Sequence, residues 1–322
     1  MFRIAPAIPM SPLCRAGLAL ITLGLAAGTA VVPANAQSNP VAKKRSCDRI
    51  ARELAVARKP VEGRKLDEFL FDASRHGCDA LLDNFVGRGA SIKARDRFGN
   101  TALSIAARMG HRSTTALLID RGSDLNHQNL MRSSVLLRAV TQRRRSVTRL
   151  LLKNGADPNA ANRRGVSPLI AAAFNGDGRT VKELLAAGAD PGHQDATGKG
   201  AIVYAAGRGF GRITELLLNS GLNPDKAYGN GLTALMWVAG HSNGVPESDG
   251  LETAQVLIAK TMDVDSRDNR GRTALMIAAE RGHAKIVAAL LTAGAKRELR
   301  DKAGHTALSL AADDATRSLL KP

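Results

Sequence analysis

Acidic side chains at regular spacing are the first candidates for chemistry in this chain. Asp263, Asp265 and Asp268 have the spacing of a calcium loop, in which carboxylates at alternate positions surround the ion. Arg267 stands at the third ligand position, however, and Ala274 replaces the bidentate glutamate that such a loop requires. The pattern therefore fails as a calcium site.

No other arrangement of side chains predicts catalysis. The Asp, His, Ser and Thr residues that could compose a triad fall mostly where turns and helix caps already account for them. No glycine-rich phosphate loop ends in Lys-Ser or Lys-Thr, and the seven histidines lack ligand-like spacing. The sequence therefore predicts a non-enzymatic protein with no cofactor, no bound metal and no small-molecule substrate.

Basic side chains are the most abundant groups that could bind a ligand. The chain carries 46 Lys and Arg against 29 Asp and Glu, a net charge of +17. Residues 37–161 hold 24 basic and 12 acidic groups, so the charge is concentrated in the N-terminal half. Such a field attracts acidic partners in general, which include acidic proteins, nucleic acid and anionic glycans or lipids.

Residues 1–36 have the layout of a secretory signal peptide. Arg3 and Arg15 precede an apolar stretch over residues 16–32. A small-residue site that ends at Ala36 follows this stretch. We expect cleavage after Ala36, a mature chain that begins at Gln37 and a location in the periplasm or outside the cell. An uncleaved membrane anchor is the alternative, although 17 apolar residues are short for a bilayer.

Removal of that segment would leave two cysteines, Cys47 and Cys78. An even number of cysteines in a chain sent to an oxidising compartment favours pairing. The sequence therefore predicts a disulfide between them. Residues 37–62, which contain Cys47, are expected to form a basic segment with a short capping helix.

The rest of the chain repeats with a period of 33 residues, and this period defines the elements that must position any site. Self-similarity at such a period is typical of a stacked solenoid, in which no unit buries its apolar face alone. The sixth unit contains a seven-residue insertion and the last unit is partial. The units are residues 63–95, 96–128, 129–161, 162–194, 195–227, 228–267, 268–300 and 301–322.

Each unit reads as turn, short helix, turn and longer helix. A glycine at the fourth position of most units, such as Gly99, can take positive φ in a tight turn. A Ser or Thr two residues later can cap the first helix through its hydroxyl group, and buried leucines follow in both helices. The predicted capping residues are Thr101, Ser134, Ser167, Thr233, Thr273 and Thr306.

These motifs resemble the ankyrin repeat family, whose Thr-Pro-Leu, Ala-Ala and Gly-His signatures are visible in TALSIAARMGH, SPLIAAA and TALMIAAERGH. The resemblance covers residues 63–322. It implies an all-α repeat solenoid of antiparallel helix pairs joined by β-hairpin-like loops. Two departures stand out: Arg143–Arg145 replaces Gly-His in the third unit, and Thr261 replaces the glycine that ends the sixth.

Ankyrin proteins bind other proteins through their turn tips and the exposed end of the inner helix, so the resemblance implies a basic concave groove that binds an acidic protein. Most residues at those positions are cationic, and three are apolar anchors. The predicted partner-binding residues are Arg97, Phe98, Arg108, Met109, Arg163, Arg164, Phe174, Lys199, Arg208, Arg270, Arg272, Arg281 and Lys302.

Two other functions stay open. One is binding to a polyanion such as nucleic acid or an anionic glycan or lipid surface; nucleic acid is disfavoured because aromatic residues form only 3% of the chain and offer few stacking platforms. The other is delivery beyond the cell as a host-directed effector.

Two segments of the sequence each allow two interpretations. The Gly, Ser, Asn and Pro content of residues 241–250 predicts an exposed loop between the helices of the sixth unit. It is either a tolerated surface insertion or an arm that contacts a partner. Arg143–Arg145 reads either as a solvated charge run or as an anion site.

Overall fold

The computed structural model describes residues 39–57, 60–242 and 244–321. The predicted signal peptide, its cleavage site and Gln37 lie outside the described residues. The chain divides into two units, Met1–Ser46 and Cys47–Pro322. Residues 39–46 belong to the first unit, and the repeat array lies within the second.

Seventeen α-helices form the regular structure of the described residues, with one 3-10 turn at Gly229–Gly231. Isolated antiparallel bridges, such as Gln128 with Ser134, narrow three of the loops into hairpin-like turns. The helices are α1 Pro40–Ala55, α2 Gly63–His76, α3 Asp79–Gly87, α4 Ala102–Met109, α5 Arg112–Asp120, α6 Val135–Thr141, α7 Arg145–Lys153, α8 Pro168–Phe174, α9 Gly178–Ala186, α10 Ala201–Ala206, α11 Gly211–Leu218, α12 Ala234–Ala239, α13 Glu247–Ile258, α14 Ala274–Arg281, α15 Ala284–Thr292, α16 Ala307–Leu310 and α17 Asp314–Leu320.

In most units the first helix begins at the side-chain cap that the sequence predicts. The hydroxyl of Thr101 accepts a hydrogen bond from the backbone N–H of Ser104, which satisfies one of the free donors at the start of α4. Helix α10 is an exception, because Gly200 stands at its N-cap and offers no side chain. The hydroxyl-to-backbone bond seen at Thr101 also caps the first helix of five other units, at Ser134, Ser167, Thr233, Thr273 and Thr306.

The helices stack in two layers. The even-numbered helices α2 to α16 contact one another in chain order, the odd-numbered helices α3 to α17 do the same, and each even-numbered helix packs against the odd-numbered helix that follows it. Leu103, Leu136 and Leu169 are at most 1% exposed between the layers. The all-α repeat solenoid is therefore confirmed.

The structure differs from the sequence-based expectation at both ends of the array. Helix α1 has 16 residues and is longer than the short capping helix expected; it begins at Pro40 because the Asn39 side chain accepts bonds from the N–H groups of Val41 and Ala42. Leu308, predicted to be buried, is half-exposed in the four-residue helix α16. No further helix layer covers α16 on its far side in the described residues.

The insertion of the sixth unit is only partly a loop. Residues 247–250 form the first turn of α13, so the insertion lengthens this helix to 12 residues. A Cβ at Gly250 would lie 2.4 Å from His241 Nε2, so the glycine allows the buried His241 ring to contact this turn. The predicted exposed loop is therefore restricted to the residues before Glu247.

The other departure in the sixth unit, Thr261, is compensated by a neighbouring unit. The Thr261 hydroxyl donates a hydrogen bond to Asp225, and the Met262 N–H donates to the other oxygen of that carboxylate at 2.9 Å. Asp225 thus holds the end of α13 from the preceding unit in place of a terminal glycine.

Candidate partner-binding surface

The turn tips of consecutive units are joined by backbone hydrogen bonds. The Leu130 N–H donates to the Phe98 carbonyl at 3.1 Å, and the Arg163 N–H donates to the Met131 carbonyl at 3.0 Å. We call this row the tip strip: residues 97–98, 130–131, 163–164, 196–198, 229–230, 269–270 and 302–303. The remaining steps are Ala196 to Arg164, Gly229 to Gly198, Asn269 to Asn230 and Lys302 to Arg270, at 2.9–3.1 Å.

In six of the units the first residue is an acid or amide that holds the tip in place. Asp96 Oδ1 accepts hydrogen bonds from the N–H groups of Phe98 and Asn100, both at 2.8 Å. With its backbone donors satisfied inside the turn, the tip directs its side chains outward. The same two bonds recur at Asn129, Asn162, Asp195, Asp268 and Asp301.

An exposed apolar cluster lies at the N-terminal part of the tip strip. Phe98 is 55% exposed, Leu130 61% and Met131 52%, and we call these three residues the apolar tip patch. The Arg97 guanidinium lies 4.8 Å from the centre of the Phe98 ring. Contiguous exposed apolar side chains rimmed by charge are typical of a protein-binding surface.

Phe98 was predicted from the sequence, whereas Leu130 and Met131 were not. Both stand one 33-residue period after Arg97 and Phe98, so the same alignment contained them. Positive charge, the feature that marks most of the other tips, does not reveal these two apolar side chains.

Two of the predicted apolar anchors are half-buried in the structure. Met109 ends α4, and Phe174 is covered by the Arg208 guanidinium, which lies 4.6 Å from its ring centre. Phe174 also packs edge-on against Tyr204, with ring centres 6.0 Å apart. Phe174 therefore belongs to a packed cluster with Arg208 and Tyr204 and is not a free anchor.

The predicted cations are not equally available to a ligand. Arg272 is 14% exposed and pairs with Glu280 at 2.7 Å and with Asp301 at 3.5 Å. Arg270 lies 3.4 Å from Asp268. No carboxylate of the described residues lies within 4.0 Å of Arg97 or Arg163.

Lys199 and Arg108 are half-buried cations. Burial lowers the pKa of Lys199, against the opposing charge of Asp195, and its Nζ lies 5.0 Å from the centre of the Trp237 ring. Burial also lowers the pKa of Arg108, and the nearby positive charge of Arg75 adds to this shift. Lys302 is exposed, whereas Arg164 and Arg281 are half-buried.

The N-terminal end of the array carries the one disulfide of the described residues. Cys47 of α1 is bonded to Cys78, the residue before α3, with their Cα atoms 5.6 Å apart. Ile50, one turn further along α1, is fully buried. The bond fixes this end of α1 to the first unit of the array.

The described residues contain no group of three or more His, Cys, Asp or Glu side chains with the geometry of a metal site. Within the same ranges, every helix is too short or too polar to cross a bilayer.

The fold and the tip strip together define a class: a solenoid of stacked helix pairs that presents a continuous row of exposed turns. A family model described as ankyrin repeats matches residues 70–162, 169–247 and 245–321. The chain therefore belongs to the ankyrin repeat family. Ankyrin repeats generally mediate protein–protein interaction and are typically non-enzymatic scaffolds.

Two known proteins illustrate the similarity. An ankyrin repeat protein of Rickettsia felis is 43% identical over 56 residues, which is 17% of this chain and 89% of that protein. The crystal structure of the ankyrin repeat domain of Bcl-3, described as a unique member of the IκB protein family, has a TM-score of 0.59 at 26% identity. That match covers 69% of this chain and 98% of the Bcl-3 domain.

Proposed function

We propose that this chain is an exported, non-enzymatic scaffold that binds an acidic protein along its tip strip. The apolar tip patch carries the proposal, because three adjacent apolar side chains more than half exposed have no role in the core. Arg97 and Arg163 flank the patch without a nearby carboxylate in the described residues. An apolar segment with acidic neighbours matches both features.

The two parts of this surface have different tasks. Exposed charges at the rim of an interface mainly accelerate encounter with an opposite charge, whereas buried apolar contacts slow dissociation. Export is supported by the signal-peptide layout of residues 1–36 and by the cysteine pair. Cleavage after Ala36 would place the scaffold in the periplasm or outside the cell.

Paired variants of the tip strip test the proposal on a partner captured from the exported fraction and then purified. Arg97→Ala with Arg163→Ala should lower the association rate and flatten the salt dependence. Leu130→Ser with Met131→Ser should instead raise the dissociation rate. Folding should change little in either variant, because exposed residues seldom alter stability by more than about 0.5 kcal/mol.

Arg179→Ala with Lys182→Ala is the matched control, because it removes two exposed charges from α9, away from the tips. Equal weakening by the control and by the tip-charge variant would leave only a diffuse positive field and contradict the proposal. A steep linear decrease of log affinity with log salt, unaffected by the apolar variant, would identify a polyanion ligand instead.

A further inference from the structure

The third unit, residues 129–161, has arginine at positions that other units fill with structural residues. Arg143 stands where five other units have a left-handed glycine, and it takes a φ of 55° itself. Arg132 replaces the turn glycine of six other units, with a φ of 57°. This backbone region disfavours residues that have a Cβ. Folding alone therefore does not select arginine at either position.

Arg138 is a similar departure inside helix α6. Burial lowers the pKa of Arg138 to about 10, and the positive charge of Arg108 adds to the shift while Asp96 opposes it. A guanidinium group thus occupies a position that the repeat normally keeps apolar. The corresponding residue of the first unit is Asp72; those of the remaining units, four of them buried, are Ile105, Ala171, Tyr204, Trp237, Ile277 and Leu310.

Arg144, the residue before α7, lies against the same neighbouring helix as Arg138. Arg144 Nε donates a hydrogen bond to the Arg108 carbonyl at 3.2 Å, and Arg138 Nε donates to the Ser104 carbonyl at 3.4 Å. Ser104 and Arg108 are four residues apart on α4, which is about 6 Å along the helix axis. The two guanidinium groups are therefore anchored one helical turn apart.

Both anchors use Nε and leave the outer nitrogens of each guanidinium group for other ligands. The Nη atoms of Arg138 and Arg144 make no hydrogen bond within the described residues, and no carboxylate there lies within 4.0 Å of them. Asp96, the acid in electrostatic range of Arg138, already accepts bonds from Phe98 and Asn100.

The positive charge of Arg108 repels both Arg138 and Arg144. Burial is the main cause that lowers the pKa of Arg144, and the charge of Arg108 lowers it further, as it does for Arg138. Two half-buried cations beside a third are stabilised by an anion that binds them both.

We infer that Arg138 and Arg144 form an oxyanion-binding site on the third unit, which takes a carboxylate or phosphoryl group. The inference rests on the proposed function in that this group belongs to the acidic partner. A guanidinium group binds an oxyanion through parallel N–H donors, and the charge on both sides strengthens these bonds. A separation of about one helical turn suits one oxyanion between the two groups or two adjacent carboxylates.

Calorimetric titration with two small probes, inorganic phosphate and acetyl-Glu-Glu-amide, tests the site at constant ionic strength. The wild-type chain should bind at least one probe saturably with 1:1 stoichiometry. Arg138→Ile and Arg144→His introduce the residues found in the second and seventh units, so both variants should fold. Each should weaken binding about tenfold or more, the effect expected for losing a charge-assisted hydrogen bond.

Arg149→Ala is the control, because this exposed arginine of α7 already pairs with Glu183, and it should leave probe binding unchanged. Tighter binding of the peptide assigns a carboxylate ligand, and tighter binding of phosphate assigns a phosphoryl ligand. If neither probe binds saturably, or if both folded arginine variants bind with wild-type affinity, the site does not exist. The tip-strip variants should bind the probes with wild-type affinity. A failure of the oxyanion site can then be distinguished from a failure of the proposed function.

Discussion

At the scale of single residues, the backbone of Arg143 gives a direct test of local strain. Its φ of 55° belongs to the left-handed region, in which glycine is relaxed and other residues are strained. Arg143→Gly should therefore stabilise the chain by about 0.5–1 kcal/mol, even after losing the Arg143 hydrogen bond to the Asn175 carbonyl. The midpoint of urea unfolding measures the change.

Gln142→Gly provides the matched control one residue earlier, where φ is −91°. Glycine relieves no strain there and adds freedom to the unfolded chain, so this variant should be less stable than wild type by about 0.5–1 kcal/mol. Equal shifts of the two midpoints would show that the strain at Arg143 is absent.

The buried pair His241 and His283 predicts a loss of stability in acid. Their ring centres are 3.9 Å apart, and burial lowers the pKa of His283 below its ordinary value of 6.5. Positive charge on His241 and on Arg281 lowers it further, whereas a bond to the His241 carbonyl and the charge of Glu247 oppose the shift.

A pKa that is lower in the folded chain makes His283 reduce the stability in acid. Above pH 6.5 both the folded and the unfolded chain hold His283 neutral, so it adds no pH dependence there. Below that pH the unfolded chain takes up the proton first, so the free energy of unfolding decreases as the pH falls from 6.5 toward the lower folded-state pKa.

His283→Gln should reduce the difference between the urea midpoints at pH 7.5 and pH 5, whereas His305→Gln, at a position 50% exposed, should not. An unchanged difference in the His283 variant would contradict the assignment.

The sequence predicted what is decided within a few residues and missed what depends on neighbouring units. Thr101 and Ser134 were recognised as caps because the acceptor and the donor are three residues apart. The pairing of Arg272 with Asp301 and the covering of Phe174 by Arg208 both join residues of different units. Side-chain packing of this kind is not encoded in a repeat alignment.

At the scale of elements, the bond between α1 and the start of α3 closes the open end of the stack. It joins residues 31 positions apart, and a loop of that length contributes about 3.5–4 kcal/mol by restricting the unfolded chain. Cys47→Ser with Cys78→Ser should lower the unfolding free energy by about that amount. Hydrogen exchange should rise mainly in α1 to α3, because units contact only their neighbours.

Non-reducing peptide mapping of the oxidised protein checks the premise of this prediction. A linked peptide containing Cys47 and Cys78 is expected. Recovery of both cysteines as free thiols would remove the basis for the stabilisation.

At the scale of the whole molecule, the proposed export predicts a change in chain length and net charge. Cleavage after Ala36 would remove two arginines, leaving a mature chain that starts at Gln37 with a net charge of +15 instead of +17. Intact mass of the exported protein should match this product. A mass that retains residues 1–36 would contradict both cleavage and a soluble exported form.

The four-residue helix α16 makes the C-terminal end of the solenoid the weaker of its two ends. In a one-dimensional stack, loss of structure begins at the end with the weakest neighbour contacts and advances unit by unit. The opposite end is fastened by a covalent crosslink, so proteases or mechanical pulling would unravel the chain from its C-terminus. Phe98, Leu130 and Met131 belong to the second and third units and would be among the last to be lost. A fragment shortened at its C-terminus would then still present the apolar tip patch.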